Sequence, residues 1–369
     1  MTPRIVYLAT ADARGHLMRA QLLVHALRQA GAQVDVITTS DAGQRFLAGF
    51  GIEASILSHH YAMQFDTRQN MLRGASNRNV LHYMVHPARM LRDLLRLRRT
   101  LRGKDILVND SFHPAALFMG ILPVARRKVV HVYGGSLREA VLGNFDGTKR
   151  RLFSHLFRHV VGWQIDAARA RLEHDFSYAI SDHAKGRDCS LPTPVQVAGP
   201  PPADGLNSAA IYLNPHFSDT NLAHALCEGI ADAGLAAYCV GEGYAGNDGW
   251  VGVDPNWASR AAHAEVIVSA PGMAALSIAV VYGRPIILVL TEQPEQASNA
   301  KRATALGIAH QTVTWRGEAH DFRCQVRQAA STLRRMVPAP TAVSSGRLQA
   351  QARVDAWTVR LLALCGVQT

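Results

Sequence analysis

Two loops in this sequence hold side chains of the right type and spacing for group-transfer chemistry. The first is Gly15-His16-Leu17-Met18-Arg19. It follows a short apolar run at 5–9 and opens an apolar-periodic stretch at 17–30 that Gly31 stops, so it reads as the turn from a first strand into a first helix. A histidine at such a place can take a proton from a hydroxyl near neutral pH, and the helix N-terminus beside it favours an anion. The chain has 17 histidines, so what singles out His16 is its neighbours Gly15 and Arg19. As a plain residue near a helix start it would have no catalytic duty, and the sequence leaves both readings open.

The second loop region lies in residues 264–309. Val266–Ser269 is a short buried-type strand, Pro271-Gly272 breaks it, Met273–Tyr282 can run as a helix, and Gly283 stands where a C-cap glycine belongs. A second unit repeats the pattern, with an apolar run at 285–290 and a helix at 296–306 stopped by Gly307. Two such βα units put both loops at the carboxyl edge of one sheet, where open α/β folds bind ligands. Ser269, Gly272, Met273, Gln296 and Asn299 fall there.

These loops need a scaffold. The strand at 34–38 completes a βαβ opening, and residues 88–101 form an amphipathic helix with leucines on one side and arginines on the other. The strand at 105–110 ends in Asp110, read either as a carboxylate partner for a histidine or as the N-cap of a helix at His113-Pro114. The strand at 129–133 ends in Gly134-Gly135-Ser136, a loop at its carboxyl end. Residues 149–171 read as a basic helix and 178–181 as a short strand. Gly199-Pro-Pro-Pro-Ala-Asp-Gly205 is the clearest linker. After it come a strand at 209–214, the loop Asn214-Pro215-His216-Phe217-Ser218 with Ser218 as a helix cap toward a phosphate, and a strand at Ala236–Val240. Residues 347–365 are a last amphipathic helix.

At 369 residues the chain suggests two domains, and 48% hydrophobic with 18% charged residues is an ordinary globular composition. The five cysteines are scattered without C-x-x-C spacing, which favours a reducing compartment over a zinc site or disulfide framework. No leader-like segment precedes the first strand, and Pro271, Gly272, Gly283, Arg284 and Pro285 interrupt the one stretch apolar enough to suggest a membrane span. The net charge of +11 is uneven: residues 89–172 carry 17 basic and 6 acidic side chains. That segment is either a solvated helix face or a surface for an anionic partner, such as lipid headgroups or a lipid diphosphate. The apolar stretch at 115–125 followed by Arg126-Arg127-Lys128 fits a buried helix or a membrane-surface patch. No nucleic-acid-binding motif accompanies the charge.

The residues Ser269, Gly272, Ala279, Gly283, Pro285, Gln296, Asn299 and Ala300, together with Gly15-His16 and Arg19 at the other end, resemble the GT-B glycosyltransferases. The likeness is to the branch of lipid II N-acetylglucosaminyltransferases and macrolide and plant small-molecule glycosyltransferases. The opening also resembles a nucleotide-sugar hydrolase of pseudaminic acid synthesis. The resemblance implies an α/β fold of two Rossmann-like domains facing across a cleft. It places an acceptor-side domain at 1–198, a donor domain at 206–340, and a C-terminal helix at 347–369 packing back on the first domain. It implies His16 as general base, Asp110 as its partner, a donor site of Ser218, Ser269, Gly272, Met273, Gln296 and Asn299, and Trp257 near the nucleobase. The acceptor side would hold Gly15, Arg19, Gly134 and Gly135. The implied activity is inverting hexosyl or N-acetylhexosaminyl transfer without a metal, for no D-x-D motif stands at a strand end. The co-substrate would be a UDP- or TDP-sugar, the acceptor a small molecule or a lipid-linked one, and the location cytoplasmic, peripheral on the inner face of the membrane. The pattern departs at Ala275 and Ile278, where many members place Thr and a ribose-binding Glu. The alternatives are a nucleotide-sugar hydrolase on the same fold and a non-catalytic relic that binds a glycan, lipid or protein.

Overall fold

The computed structural model describes residues 2–11, 14–59, 86–110, 112–135, 137–142, 151–180, 186–202, 208–291, 293–336 and 341–367. Ser136 of the loop expected after 129–133 and Ser181 of the strand expected at 178–181 lie outside them. Two compact units emerge. The first takes in the described residues up to Thr193 and again from Arg353, and the second runs from Pro194 to Ala352.

The first unit is a seven-stranded, all-parallel sheet. Its strands are β1 (Arg4–Ala9), β2 (Gln33–Thr38), β3 (Ala54–Ile56), β4 (Ile106–Asp110), β5 (Val129–Gly134), β6 (Ala170–Asp175) and β7 (Asp188–Pro192), in the order β3-β2-β1-β4-β5-β6-β7. The order reverses between β1 and β4, which is the switch point where open α/β sheets bind ligands. Crossovers are helical: α1 (Arg14–Gln29), α2 (Asp41–Ala48), α3 (Pro87–Thr100), α4 (Pro114–Met119), α5 (Leu137–Leu142) and α6 (Arg151–Ala167). Alternation along the strands splits the core. Ile5, Tyr7, Ala9, Val34 and Val108 pack against Leu17, Leu23 and Leu27 of α1, while Val6, Leu8 and Leu107 pack against Leu97 of α3 and Ala115, Ala116 and Met119 of α4.

The second unit has six parallel strands in the order β10-β9-β8-β11-β12-β13. They are β8 (Ser208–Tyr212), β9 (Ala236–Val240), β10 (Trp250–Val251), β11 (Val266–Ser269), β12 (Ile286–Leu290) and β13 (His310–Thr314). The helices are α7 (Thr220–Asp232), α8 (Trp257–His263), α9 (Met273–Tyr282), α10 (Pro294–Ala305), α11 (Ala319–Leu333) and α12 (Thr341–Leu364). Gly283 ends α9 in the left-handed region at φ 60, the C-cap its position promised. The switch point lies between β8 and β11.

Several expectations change. The helix expected at 149–171 stops at Ala167 and gives way to β6, and no strand forms at Tyr178–Ile180. Residues 194–198 group with the second unit, where the Tyr282 hydroxyl donates to the Gln196 carbonyl and accepts the Ala198 N–H, both at 2.7 Å. The stretch at 115–125 divides: α4 is buried, while Leu122 and Val124 beyond it are exposed. From Arg353 onward α12 belongs to the first unit, where Trp357 is fully buried and its indole N–H donates to the Pro192 carbonyl at 2.8 Å. No described helix is long and apolar enough to cross a membrane.

Trp357→Ala removes a wholly buried ring, so chemical denaturation should show a loss of about 3–5 kcal/mol. Leu348→Ala on the exposed side of the same helix should stay within about 0.5 kcal/mol.

Candidate active site

The carboxyl end of β4 is the focus of the first unit. Asp110 pairs in register with Ala9, the last residue of β1, at the switch point. Its side chain is fully buried among donors. The Tyr7 hydroxyl donates to Oδ2 at 2.8 Å and Arg19 Nε donates to the same oxygen at 2.9 Å. Oδ1 takes a close contact from Arg19 Nη2 and lies 3.0 Å from His16 Nδ1. Burial alone would raise this carboxyl's pKa, but the Arg19 charge and the hydrogen bonds from His16 and Arg19 more than offset that and hold it well below the usual carboxylate range. Asp110 is therefore a buried, ionised carboxylate. It is not the helix cap: His113 caps α4, its Nδ1 accepting the Ala115 N–H.

The turn after Asp110 is built to fix it. Phe112 has φ 57, the one described non-glycine residue in the left-handed region, a costly conformation that persists only when its surroundings impose it. Phe112 packs on Tyr133 and His131. Asn109 ties the turn on both sides, accepting the His113 N–H at 2.9 Å and donating to His131 Nδ1 at 3.0 Å. Burial lowers His131 to about 3, so it stays neutral and can accept that bond.

His16 reaches Asp110 from the first turn of α1, and its side chain is 15% exposed. Arg19, expected at the acceptor side, proves to be 4% exposed. One helical turn after His16, it spends its guanidinium on Asp110 and on His174 Nε2. Burial disfavours its charge, yet Asp110 keeps it protonated. His174 in turn bonds Thr193 Oγ1 through Nδ1 at 2.9 Å, and burial followed by the Arg19 charge pushes its pKa well below the ordinary histidine value. Gly15 has open space where a Cβ would be. A Cβ on Gly134 would make only ordinary contact with the His174 ring at 3.7 Å, whereas one on Gly135 would press on Asp175 Oδ2 at 3.2 Å, so Gly135 lets the β5 end pass close to β6.

In the second unit, Ser269 ends β11 and is buried. Gly272 is exposed at the N-cap of α9 and Met273 is half-buried in its first turn. Among the described residues no side chain caps this helix, and no acidic residue lies in its first turn, which leaves that end open to an anion. Ser218 is exposed but does not cap α7. Asp219 does, accepting the Asn221 N–H at 3.0 Å. A carboxylate already offsets the α7 dipole, so α9 is the better phosphate end. Gln296 and Asn299 are both buried. The Gln296 amide oxygen accepts the Thr291 N–H at 2.8 Å, and Asn299 Nδ2 donates to the Pro271 carbonyl at 2.9 Å, tying α10 to the loop before α9. Their spacing thus braces the two carboxyl-edge loops. Ala275 and Ile278 are buried in α9, so neither position offers a ribose an acceptor. Trp257 is no base platform: it is buried, with its indole N–H on the Ile211 carbonyl at 3.2 Å.

No family model and no curated protein matches this chain. Solved structures do. The glycosyltransferase of kitacinnamycin superposes with a TM-score of 0.62 at 16% identity over 98% of both chains. An Arabidopsis thaliana protein complexed with quercetin gives 0.60 at 12% identity, over 99% of this chain and 100% of that one. The spinosyn rhamnosyltransferase SpnG complexed with thymidine diphosphate gives 0.56 at 14%, over 98% and 100%.

Two buried histidines, His131 and His174, set a sign for pH dependence. A histidine whose folded pKa is depressed adds stability that is complete above its unfolded value, about 6.5, and is lost as pH falls below it. Asp110, also depressed, adds its own loss below about pH 4. Urea titrations from pH 7 to 5 should show falling stability, and His174→Gln should flatten the slope by up to about 1.4 kcal/mol per pH unit.

The match over nearly the whole of both chains, with a switch point in each sheet, gives this chain the α/β fold of the GT-B glycosyltransferases.

Proposed function

We propose that this protein is an inverting, metal-independent glycosyltransferase that moves a sugar from a nucleoside-diphosphate donor to an acceptor hydroxyl. The observation that carries the reading is the His16–Asp110 pair at the β1–β4 switch point, with the imidazole partly exposed above a buried, ionised carboxylate. In the reaction the acceptor oxygen attacks the anomeric carbon, the bond to the diphosphate breaks, and the acceptor proton passes to His16 Nε2. Asp110 orients the ring and balances the imidazolium that forms. The uncapped N-terminus of α9 at Gly272 and Met273, with Ser269 beside it, receives the diphosphate. Gln296 and Asn299 shape that loop, and Gly134 and Gly135 line the acceptor side.

A solved neighbour holding thymidine diphosphate, and neighbours holding quercetin and spinosyn aglycone, support a TDP- or UDP-linked donor and a small-molecule acceptor. The transferred group is a hexosyl or N-acetylhexosaminyl unit. A lipid-linked acceptor at an anionic membrane is a second form of the same reading. It rests on exposed Leu91, Leu95, Val124, Leu156 and Trp163 standing among the arginines of the first unit.

The test is release of nucleoside diphosphate from UDP- and TDP-sugars, with and without an acceptor panel. Acceptor-dependent release with an inverted glycoside supports a transferase. Release of free sugar without acceptor turns the reading to a hydrolase. His16→Ala should cost about 10²–10⁴-fold in kcat while the thermal shift given by the nucleotide survives. No shift with any nucleotide contradicts the donor site.

A further inference from the structure

Asp110 and His16 alone do not account for the buried group around them. A lone carboxylate sealed from water takes up a proton rather than stay charged, and a neutral carboxyl can turn its own O–H toward a histidine. What keeps Asp110 ionised is Arg19, which meets both carboxylate oxygens through Nε and Nη2. The guanidinium is itself held in plane from its far side. Nη1 donates to His174 Nε2, and His174 Nδ1 donates to Thr193 Oγ1. Arg353 Nη1 donates to the Thr193 carbonyl at 3.1 Å, and the edge of the His174 ring meets Trp357. Every link lies in the first unit.

The contacts decide the imidazole tautomer. His16 Nδ1 lies 3.0 Å from Asp110 Oδ1 and 2.9 Å from Arg19 Nη2. One nitrogen cannot donate to the first and accept from the second. If it accepted from Arg19, its lone pair would face a carboxylate lone pair at 3.0 Å. If it donates to Asp110, the Arg19 Nη2–H is free to point at Oδ1, where it makes its closest contact. The second arrangement gives both the His16 Nδ1–H and the Arg19 Nη2–H an acceptor in Oδ1 and leaves the lone pair on Nε2.

We infer that Arg19 is a positioning residue for the transfer reaction: by holding Asp110 ionised and oriented it fixes His16 as the Nδ1–H tautomer, so that Nε2 is the base. Arg19 is 4% exposed and its guanidinium is spent on Asp110 and His174, so it acts on the reaction through Asp110. The inference rests on the proposed function for its catalytic consequence, but its structural half does not. Among the described residues, the charged and titratable groups facing His16 are Asp110 and Arg19 directly, with Tyr7 and His174 one contact further. Burial and then the Asp110 charge raise the Tyr7 pKa well above its ordinary value, so the phenol stays a neutral donor.

The experiment is a long-range ¹H–¹⁵N spectrum of ¹⁵N-histidine-labelled protein near pH 8 without substrate, with His16→Gln to assign the ring. It is repeated on Arg19→Lys and Arg19→Gln, whose folding is followed by melting temperature. The expected result is an Nδ1–H ring in the unsubstituted protein, kept in Arg19→Lys and mixed or reversed in Arg19→Gln. Turnover should fall in Arg19→Gln by about 10²-fold in kcat with KM and the nucleotide thermal shift unchanged, and Arg19→Lys should restore part of it. An Nε2–H ring in the unsubstituted protein overturns the inference even if neither variant folds. So does a folded Arg19→Gln with tautomer and kcat unchanged. An Nδ1–H ring that depends on Arg19, in a protein that turns over no nucleotide-sugar, leaves the positioning role standing and sinks the transferase reading instead.

Discussion

A charge buried at the end of β4 is the constraint on which the first unit turns. Taking a carboxylate out of water costs several kcal/mol unless cations and hydrogen bonds replace the lost solvent. Around Asp110 they do: a phenol from β1, a guanidinium and an imidazole from the first turns of α1. Each donor comes from an element beside the β1–β4 switch point. The α1 start must therefore sit where it does, because shifting it by one residue would swing both His16 and Arg19, three apart on one face, away from the carboxylate. The strained Phe112 turn and the Asn109–His131 brace do the same for β4.

The two units solve different problems with one architecture. In the first, the switch point buries polar groups and exposes one imidazole. In the second, the corresponding edge ends in an uncapped helix and in loops braced by buried amides, Gln296 on Thr291 and Asn299 on Pro271. The first arrangement suits proton transfer and the second suits an anion. The solved neighbours have the same fold over nearly their whole length.

Much of this was legible in the sequence, because the central strands of both sheets are apolar runs bounded by glycine and proline. The βαβ opening, the two βα units at 264–309 and the Gly283 cap follow from that pattern alone. What escaped was polar or short. The β6 sequence Ala-Arg-Leu-Glu-His-Asp alternates charge with apolar residues and continues a helical stretch, so nothing local marks the break at Ala167. Strands β7 and β13 were missed for want of a clear apolar period, whereas α11 went unread although Phe322, Val326, Ala329, Ala330 and Leu333 repeat at helical spacing. At the site, the sequence singled out His16, Asp110 and Arg19 but not the way Arg19 is buried against the carboxylate. Its burial depends on contacts with Asp110, 91 residues away, and His174, 155 away, which no local signal reports. Ser218 was preferred to Asp219 as the cap although both types cap helices, and only backbone geometry separates them.

The most direct test of the account is a carbon-13 NMR titration of the Asp110 carboxyl, assigned with Asp110→Asn. A shift that stays at the ionised value from pH 8 down to pH 4 is the predicted result, since Arg19 and His16 hold the carboxylate charged inside the fold. A midpoint at or above the ordinary aspartate value of about 3.9 would contradict it, and with it the claim that a buried carboxylate aims His16.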